Sequence, residues 1–102
     1  GTEVYYTGSN KAKTKSGLNS KTLATIFLNS LTSKLGTHKR YIADKSLAVC
    51  RANTVPAVLI ELGFMSNPND LALMTDEDFQ EETAKAIYDT LCEVFSAYPT
   101  GR

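Results

Sequence analysis

The sequence predicts an α/β protein in which helices flank a mixed, mostly parallel sheet. Three observations support this fold class. Residues 20–35 and 79–98 place apolar side chains at helical spacing. The apolar run at residues 57–60 follows a proline and is typical of a strand buried on both faces. Strand-like and helical segments alternate along the chain, as they do in layered α/β domains.

The first third of the chain predicts a strand, a loop and a helix. Residues 3–7 favour β-structure and precede a glycine, which indicates a short strand. Residues 9–17 are polar and contain too few apolar side chains to pack, so they predict a loop. The helix at residues 20–35 has Asn19 or Ser20 as its N-cap. A glycine follows it directly, at the position where a left-handed residue commonly ends a helix.

The remainder predicts short extended segments and a final helix. Residues 40–44 and 47–51 are each expected to be extended. Asn67 is expected to cap a turn that begins at the following proline. Thr75 resembles the start of a capping box with Asp78 in place of glutamate, and would open the last helix.

Length and composition restrict what the chain can be. A chain of 102 residues forms one domain at most, and its apolar surface indicates part of a larger one. The formal net charge of zero argues against a generic nucleic-acid binder. No apolar run is long enough to span a membrane. Two cysteines are too few for a disulfide framework, and their apolar neighbours predict two buried free thiols.

Charge is distributed unevenly. Residues 1–54 contain nine Lys or Arg and two acids, whereas residues 55–102 contain two Lys or Arg and nine acids. The basic half could bind an anionic polymer such as a cell wall. Alternatively, the two halves form solvated surfaces that attract each other across the fold.

Glu61 is the candidate catalytic residue. It comes directly after the predicted buried strand, and open α/β sheets bind ligands beyond the carboxyl ends of their strands. A partly desolvated carboxylate at that position is suited to proton transfer. Gly63 would leave room for a turn or a substrate. The alternative is a structural ion pair between Glu61 and Arg51 or Arg40.

Residues 55–70, VPAVLIELGFMSNPND, resemble the closing motif of the zinc-dependent N-acetylmuramoyl-L-alanine amidases (amidase type 3) of cell-wall turnover, sporulation and phage lysis. Other stretches resemble that family in the same order. Residues 1–6 are similar to the strand after its last zinc histidine, and residues 20–35 to its next helix. Residues 47–51 are similar to its leucine, valine, leucine, arginine strand, with cysteine at the second leucine. Residues from 79 onward are similar to its final helix.

The resemblance implies a three-layer α/β/α fold and a hydrolase that cleaves the amide between N-acetylmuramic acid and the L-alanine of peptidoglycan. In the family, two histidines and a glutamate hold zinc, and the glutamate matching Glu61 moves the proton of the attacking water. The resemblance also implies action outside the cell or on the wall, as an autolysin or a phage endolysin.

The chain departs from the family pattern in its metal ligands. All three ligands precede the segment that matches residues 1–3, so we expect no metal site in residues 1–102, the C-terminal part of one domain. We expect His38 to be an exposed loop residue, and the isolated chain to be inactive. Arg51 is predicted to end a strand close to Glu61, where it would bind substrate carboxylates, orient Glu61 or form a structural ion pair.

A second hypothesis remains open. The chain could be a noncatalytic peptidoglycan-binding or regulatory domain that lost its zinc half and uses its basic residues to hold the wall. A homo-oligomer formed through an exposed sheet edge is also expected, because unpaired edge groups seek partners.

Overall fold

The computed structural model describes residues 1–100 as four helices around a three-stranded sheet. This confirms the predicted α/β class and the mixed sheet. The elements in chain order are β1 (Thr2–Tyr6), α1 (Ser20–Leu35), β2 (Lys39–Asp44), α2 (Ala48–Arg51), β3 (Leu59–Glu61), α3 (Pro68–Met74) and α4 (Glu77–Ala97).

The sheet has the order β2-β1-β3, with β1 in the centre. Strand β2 runs parallel to β1, and β3 runs antiparallel to it. The register between β1 and β2 shifts once, because Thr2 lies opposite Lys39 but Val4 lies opposite Ile42. Two residues of β2 therefore face the single residue between Thr2 and Val4. This shift places Ile42 beside Val4, where both contribute to the core.

The core lies between the sheet and α1, and α4 packs on the outside of α1. Val4 of the central strand and Leu31 of α1 are fully buried, which reflects their place at the middle of this sandwich. The partly buried side chains packed against the core include Leu23, Ile26, Ile42, Val58, Ile60, Ile87 and Tyr98. The apolar positions that predicted α1 are thus the ones that pack. In α4 the prediction holds only in part, because Tyr88, Leu91 and Phe95 share the predicted apolar spacing but are exposed.

Three of the four helix caps predicted from the sequence are confirmed by the structure. Asn19 accepts a hydrogen bond from Thr22 N at 2.9 Å, and Asn67 accepts from the backbone of the first turn of α3. Gly36 ends α1 with a φ of 69°, a left-handed conformation that favours glycine. The capping residue of α4 is Asp76, whose Oδ1 accepts from Phe79 N at 3.0 Å, and not Thr75. Asp76 is one residue closer to the first turn, where its negative charge also favours the helix dipole.

The predicted strand at residues 47–51 is wrong. The chain leaves the sheet after β2, so these residues have no strand to pair with and form the short helix α2 instead. In this helix Arg51 N donates to Leu47 O at 2.7 Å. The predicted double burial of the last strand is also wrong. Every residue of β3 is only partly buried, because β3 lies at the edge of the sheet.

The two cysteines differ in environment. Cys50 is buried, as expected, whereas Cys92 on α4 is exposed, so the prediction of a buried thiol is wrong for Cys92. His38 is exposed between α1 and β2, which confirms its placement in a loop. None of the helices within residues 1–100 is both long and apolar enough to cross a membrane.

Candidate functional site

Glu61 is the last residue of β3 and lies directly opposite Glu3 of β1. Opposite residues of antiparallel strands point to the same face of a sheet, so the two carboxylates share the face away from α1. Glu61 is partly exposed, and within residues 1–100 its side chain forms neither an ion pair nor a hydrogen bond. The alternative of a structural pair with Arg40 or Arg51 is therefore wrong for this structure.

The loop after Glu61 is fixed by two side chains. Thr2 Oγ1 donates to the Leu62 carbonyl oxygen at 3.0 Å, and Phe64 N donates to Asp70 Oδ2 at 3.0 Å. A Cβ atom on Gly63 would lie 3.1 Å from Cβ and Cγ of Asp70. A larger residue at position 63 would therefore require the Asp70 side chain to move by a few tenths of an ångström, and the backbone that leaves Glu61 is anchored by these hydrogen bonds.

Glu3 forms a second, buried carboxylate beside Glu61. Only 2% of Glu3 is exposed. Its Oε1 accepts a hydrogen bond from Tyr5 Oη at 2.7 Å, and its Oε2 accepts from Arg40 Nε at 2.5 Å. Burial raises the pKa of Glu3, but the hydrogen bonds from Tyr5 and Arg40 outweigh it, and the pKa is lowered overall. Glu3 is therefore a stable anion that holds two neighbours in place.

Arg51 lies at the other end of the sheet from Glu61. Helix α2 is joined to the C-terminal end of β1, because Leu47 N donates to Thr7 Oγ1 at 3.3 Å. Arg51 is exposed there, and its Nη1 donates to Ser46 Oγ at 2.8 Å. Because β3 is antiparallel to β1, its carboxyl end lies at the amino end of β1. The predicted closeness of Arg51 to Glu61 is thus not found, and its role in substrate binding stays a prediction.

A basic groove also lies at the C-terminal end of β1. It has a volume of about 310 Å³, and its lining includes Lys11, Lys13 and Lys21 together with Asp44 of β2. This groove collects part of the basic half of the sequence on one surface. It is separated from Glu61 by the length of β1, so it is a distinct surface rather than a wall of the Glu61 site.

The described residues do not form a zinc site. Within residues 1–100, no group of three or more His, Cys, Asp and Glu side chains is arranged to hold a metal ion. Glu3 already binds Tyr5 and Arg40, whereas the carboxylate of Glu61 has no partner among residues 1–100. The chemistry that these residues can perform by themselves is proton transfer at Glu61.

Sequence reasoning missed Glu3 and Tyr5 and gave Arg40 only a structural role. A partial signal existed, since a glutamate and a tyrosine two apart on a strand share one face. The sequence carried no sign of the register shift that places Arg40 beside Glu3. The shift belongs to the pairing of β1 with β2, two strands that are remote from each other in the sequence.

Comparisons with known proteins identify this arrangement. The family model described as N-acetylmuramoyl-L-alanine amidase matches residues 1–93. The chain is 33% identical over 87 residues to the uncharacterized protein YqiI of Bacillus subtilis. The alignment covers 85% of this chain and 40% of YqiI. It is 30% identical over 89 residues to the N-acetylmuramoyl-L-alanine amidase LytC of the same organism, covering 87% of this chain and 17% of LytC.

Solved structures agree with the sequence relatives. The catalytic domain of CwlV, an N-acetylmuramoyl-L-alanine amidase from Bacillus (Paenibacillus) polymyxa var. colistinus, aligns with a TM-score of 0.77 and 34% identity over 95% of this chain. An N-acetylmuramoyl-L-alanine amidase from Clostridium difficile 630 aligns with a TM-score of 0.79 and 28% identity over 94% of this chain.

The chain spans about half the length of these solved structures, at 49% and 48%, and less than half of the curated relatives. The match nevertheless extends from β1 through most of α4 and includes Glu61 with its fixed loop. The sheet and its helices are shared with solved amidase domains. This chain belongs to the N-acetylmuramoyl-L-alanine amidase family.

Proposed function

We propose that residues 1–102 form the C-terminal part of a zinc-dependent amidase domain that cleaves the bond between N-acetylmuramic acid and L-alanine in peptidoglycan. The observation that carries this proposal is the carboxylate of Glu61. It has no partner in the described residues, it ends a strand, and the loop that follows it is anchored by hydrogen bonds to Thr2 and Asp70. The family membership supports the substrate class.

In this proposal Glu61 moves one proton twice. Its carboxylate accepts a proton from the attacking water as the water oxygen bonds to the scissile carbonyl carbon. The resulting carboxylic acid donates that proton to the amine of L-alanine as the carbon–nitrogen bond breaks. The products are a free carboxyl group on the muramic acid and a free amine on the peptide, and Glu61 returns to its starting form.

Zinc dependence is part of the proposal, with ligands supplied from outside this chain. The residues described here do not fit a zinc site, so the steps above involve Glu61 alone. The proposed substrate implies action at the cell wall or outside the cell, and relatives that bear the name probable cell wall amidase LytH, such as that of Staphylococcus aureus, support that location.

The test uses the complete protein that contains these residues, purified with zinc and incubated with isolated peptidoglycan. Release of peptides with a free N-terminal L-alanine is measured for the wild type and for Glu61→Gln. We expect the variant to lose activity by roughly 10²–10⁴-fold, the usual contribution of a general acid–base group. Glu81→Gln, an exposed change of the same kind on α4, serves as the matched control and should retain activity.

The same experiment separates the enzyme from a wall-binding domain. The basic groove around Lys11, Lys13 and Lys21 favours some attachment to an anionic polymer in either case. Arg51 lies at the same end of the sheet as this groove. We therefore propose that any contact of Arg51 with substrate is with polymer bound at the groove, away from the scissile bond. Binding of peptidoglycan without any release of peptides by the wild type would favour the noncatalytic function.

A further inference from the structure

Arg40 is held rigidly although much of it is exposed. Its Nε donates to the buried carboxylate of Glu3, and its guanidinium carbon lies 5.4 Å from the ring centroid of Tyr41 and 5.3 Å from that of Phe64. These three contacts fix the plane and position of the guanidinium group. Even so, 41% of the side chain remains exposed. A fixed, exposed guanidinium is ready to bind a ligand without much loss of side-chain entropy.

The anchoring leaves donors free. A guanidinium group has five N–H donors, and the hydrogen bond to Glu3 uses the one on Nε. The hydrogen bond to Glu3 does not use the two terminal nitrogens, which together form the fork that binds a carboxylate through two parallel bonds. Lys45 adds a second positive charge to this face, with Nζ 4.0 Å from the ring centroid of Tyr5.

Arg40 lies close to the proposed reaction centre. Glu3 connects it to Glu61, because Glu3 binds Arg40 on one side and lies opposite Glu61 on the other. Opposite residues in antiparallel strands have Cβ atoms about 5 Å apart. Phe64, which packs against the guanidinium group, is only three residues after Glu61. The guanidinium group is therefore within reach of a substrate group one or two residues from the scissile amide, at about 3.5 Å per extended residue.

We propose that Arg40 binds a carboxylate on the peptide side of the substrate, on the residue that follows L-alanine. This inference rests on the proposed amidase function. The peptide side is chosen because it carries free carboxylates, whereas the sugar side presents neutral hydroxyl and acetamide groups next to the scissile bond. Glu3 is then a positioning residue, which orients Arg40 without contacting substrate. Arg40 makes the enzyme prefer a carboxylate over a carboxamide at this residue.

The experiment compares two synthetic muramoyl peptides that differ only after the L-alanine, where one has a free carboxylate and the other a carboxamide. Cleavage of each by the complete, zinc-loaded protein yields kcat and KM. We expect the wild type to prefer the carboxylate, and Arg40→Gln to lose roughly tenfold in kcat/KM for it, mainly through KM. Cleavage of the carboxamide should change little. Lys39→Gln removes a neighbouring charge that pairs with Asn29 and should keep the preference.

Equal losses on both peptides would show that Arg40 is only structural and would overturn the inference. So would an unchanged preference in Arg40→Gln. If that variant does not fold, Arg40→Lys keeps a positive charge for Glu3 but lacks the fork, and it should show the same reduced preference. If the wild type cleaves neither peptide, the proposed function fails. Calorimetric binding of both peptides to Glu61→Gln then decides separately whether Arg40 discriminates between them.

Discussion

At the scale of single residues, the pair formed by Glu3 and Tyr5 controls the charge next to the candidate site. Burying a carboxylate is unfavourable unless hydrogen bonds and an opposite charge compensate, and Tyr5 and Arg40 provide both. In return, the hydrogen bond to Glu3, together with burial, raises the pKa of Tyr5 to about 12. Each group thus favours the form in which Glu3 is ionised and Tyr5 is protonated.

This pair predicts how stability depends on pH. The pKa of Tyr5 is higher in the folded state, so its contribution is complete below pH 10 and is lost as pH rises toward about 12. The pKa of Glu3 is lowered, so its contribution is present above its usual value of 4.5 and is lost as pH falls through the lowered pKa.

Tyr5→Phe should remove the loss of stability that Tyr5 causes above pH 10. We expect the variant to be less stable by about 2 kcal/mol at pH 7, because the lost hydrogen bond is to a buried carboxylate, and to lose less stability than the wild type between pH 10 and 12. Denaturant unfolding at several pH values measures both effects. Tyr88→Phe, an exposed tyrosine on α4, is the control. Identical alkaline slopes for wild type and Tyr5→Phe would contradict the prediction.

At the scale of elements, each of the two long helices begins at a side-chain cap. The carboxamide of Asn19 satisfies the backbone N–H of Thr22, and the carboxylate of Asp76 satisfies that of Phe79. The free first-turn N–H groups of a helix otherwise need water or another partner. Helix α1 is also the element that covers the sheet, so its start determines where the core begins.

Asn19→Ala should therefore destabilise the protein by about 1 kcal/mol, the usual cost of losing an N-cap. Asn19→Ser keeps an oxygen that can accept from Thr22 N and should restore most of that stability. Chemical denaturation of the three proteins measures the free energy of unfolding. Equal stability of the alanine and serine variants would show that the side-chain cap contributes nothing.

At the scale of the whole molecule, the described residues provide one face of a site. The sheet is covered by α1 on one side, and the other side carries Glu3 and Glu61 with their neighbours. Residues 1–100 contain no group of side chains arranged for a metal ion. We therefore predict that residues 1–102 in isolation hold no stoichiometric zinc and do not cleave peptidoglycan.

Metal analysis of the isolated chain, purified in the presence of zinc, tests this prediction. The complete protein, treated in the same way, is the positive control and should hold zinc. One zinc ion per isolated chain, or release of peptides by it, would contradict the prediction and would require a metal site assembled from residues 1–102.

The edges of the sheet bear on self-association. Both β2 and β3 are edge strands. Strand β2 carries the charged residues Lys39, Arg40 and Asp44, and β3 is only three residues long. Charged side chains and short length both oppose the pairing of an edge strand with another chain. The homo-oligomer expected through a sheet edge stays a prediction, and the structure gives a physical reason for the edges to remain unpaired.

The sequence by itself determined the features that depend on neighbouring residues. Helical spacing and capping residues located α1 and α4 to within two residues at their starts, and the β-favouring run located β1. The position of Glu61 at the end of a strand also followed from the sequence, because an apolar run and the residue after it are local. The resemblance around residues 55–70 then indicated the family that the comparisons show.

Only the tertiary structure decided what depends on distant partners. The antiparallel direction of β3, the register shift in β2 and the helical form of α2 follow from which strand is available for pairing. The same pairing separates Arg51 from Glu61 and brings Arg40 to Glu3. A residue that is remote in sequence can replace a predicted partner because the strand pairing joins residues 37 to 58 positions apart, and no local pattern carries that choice.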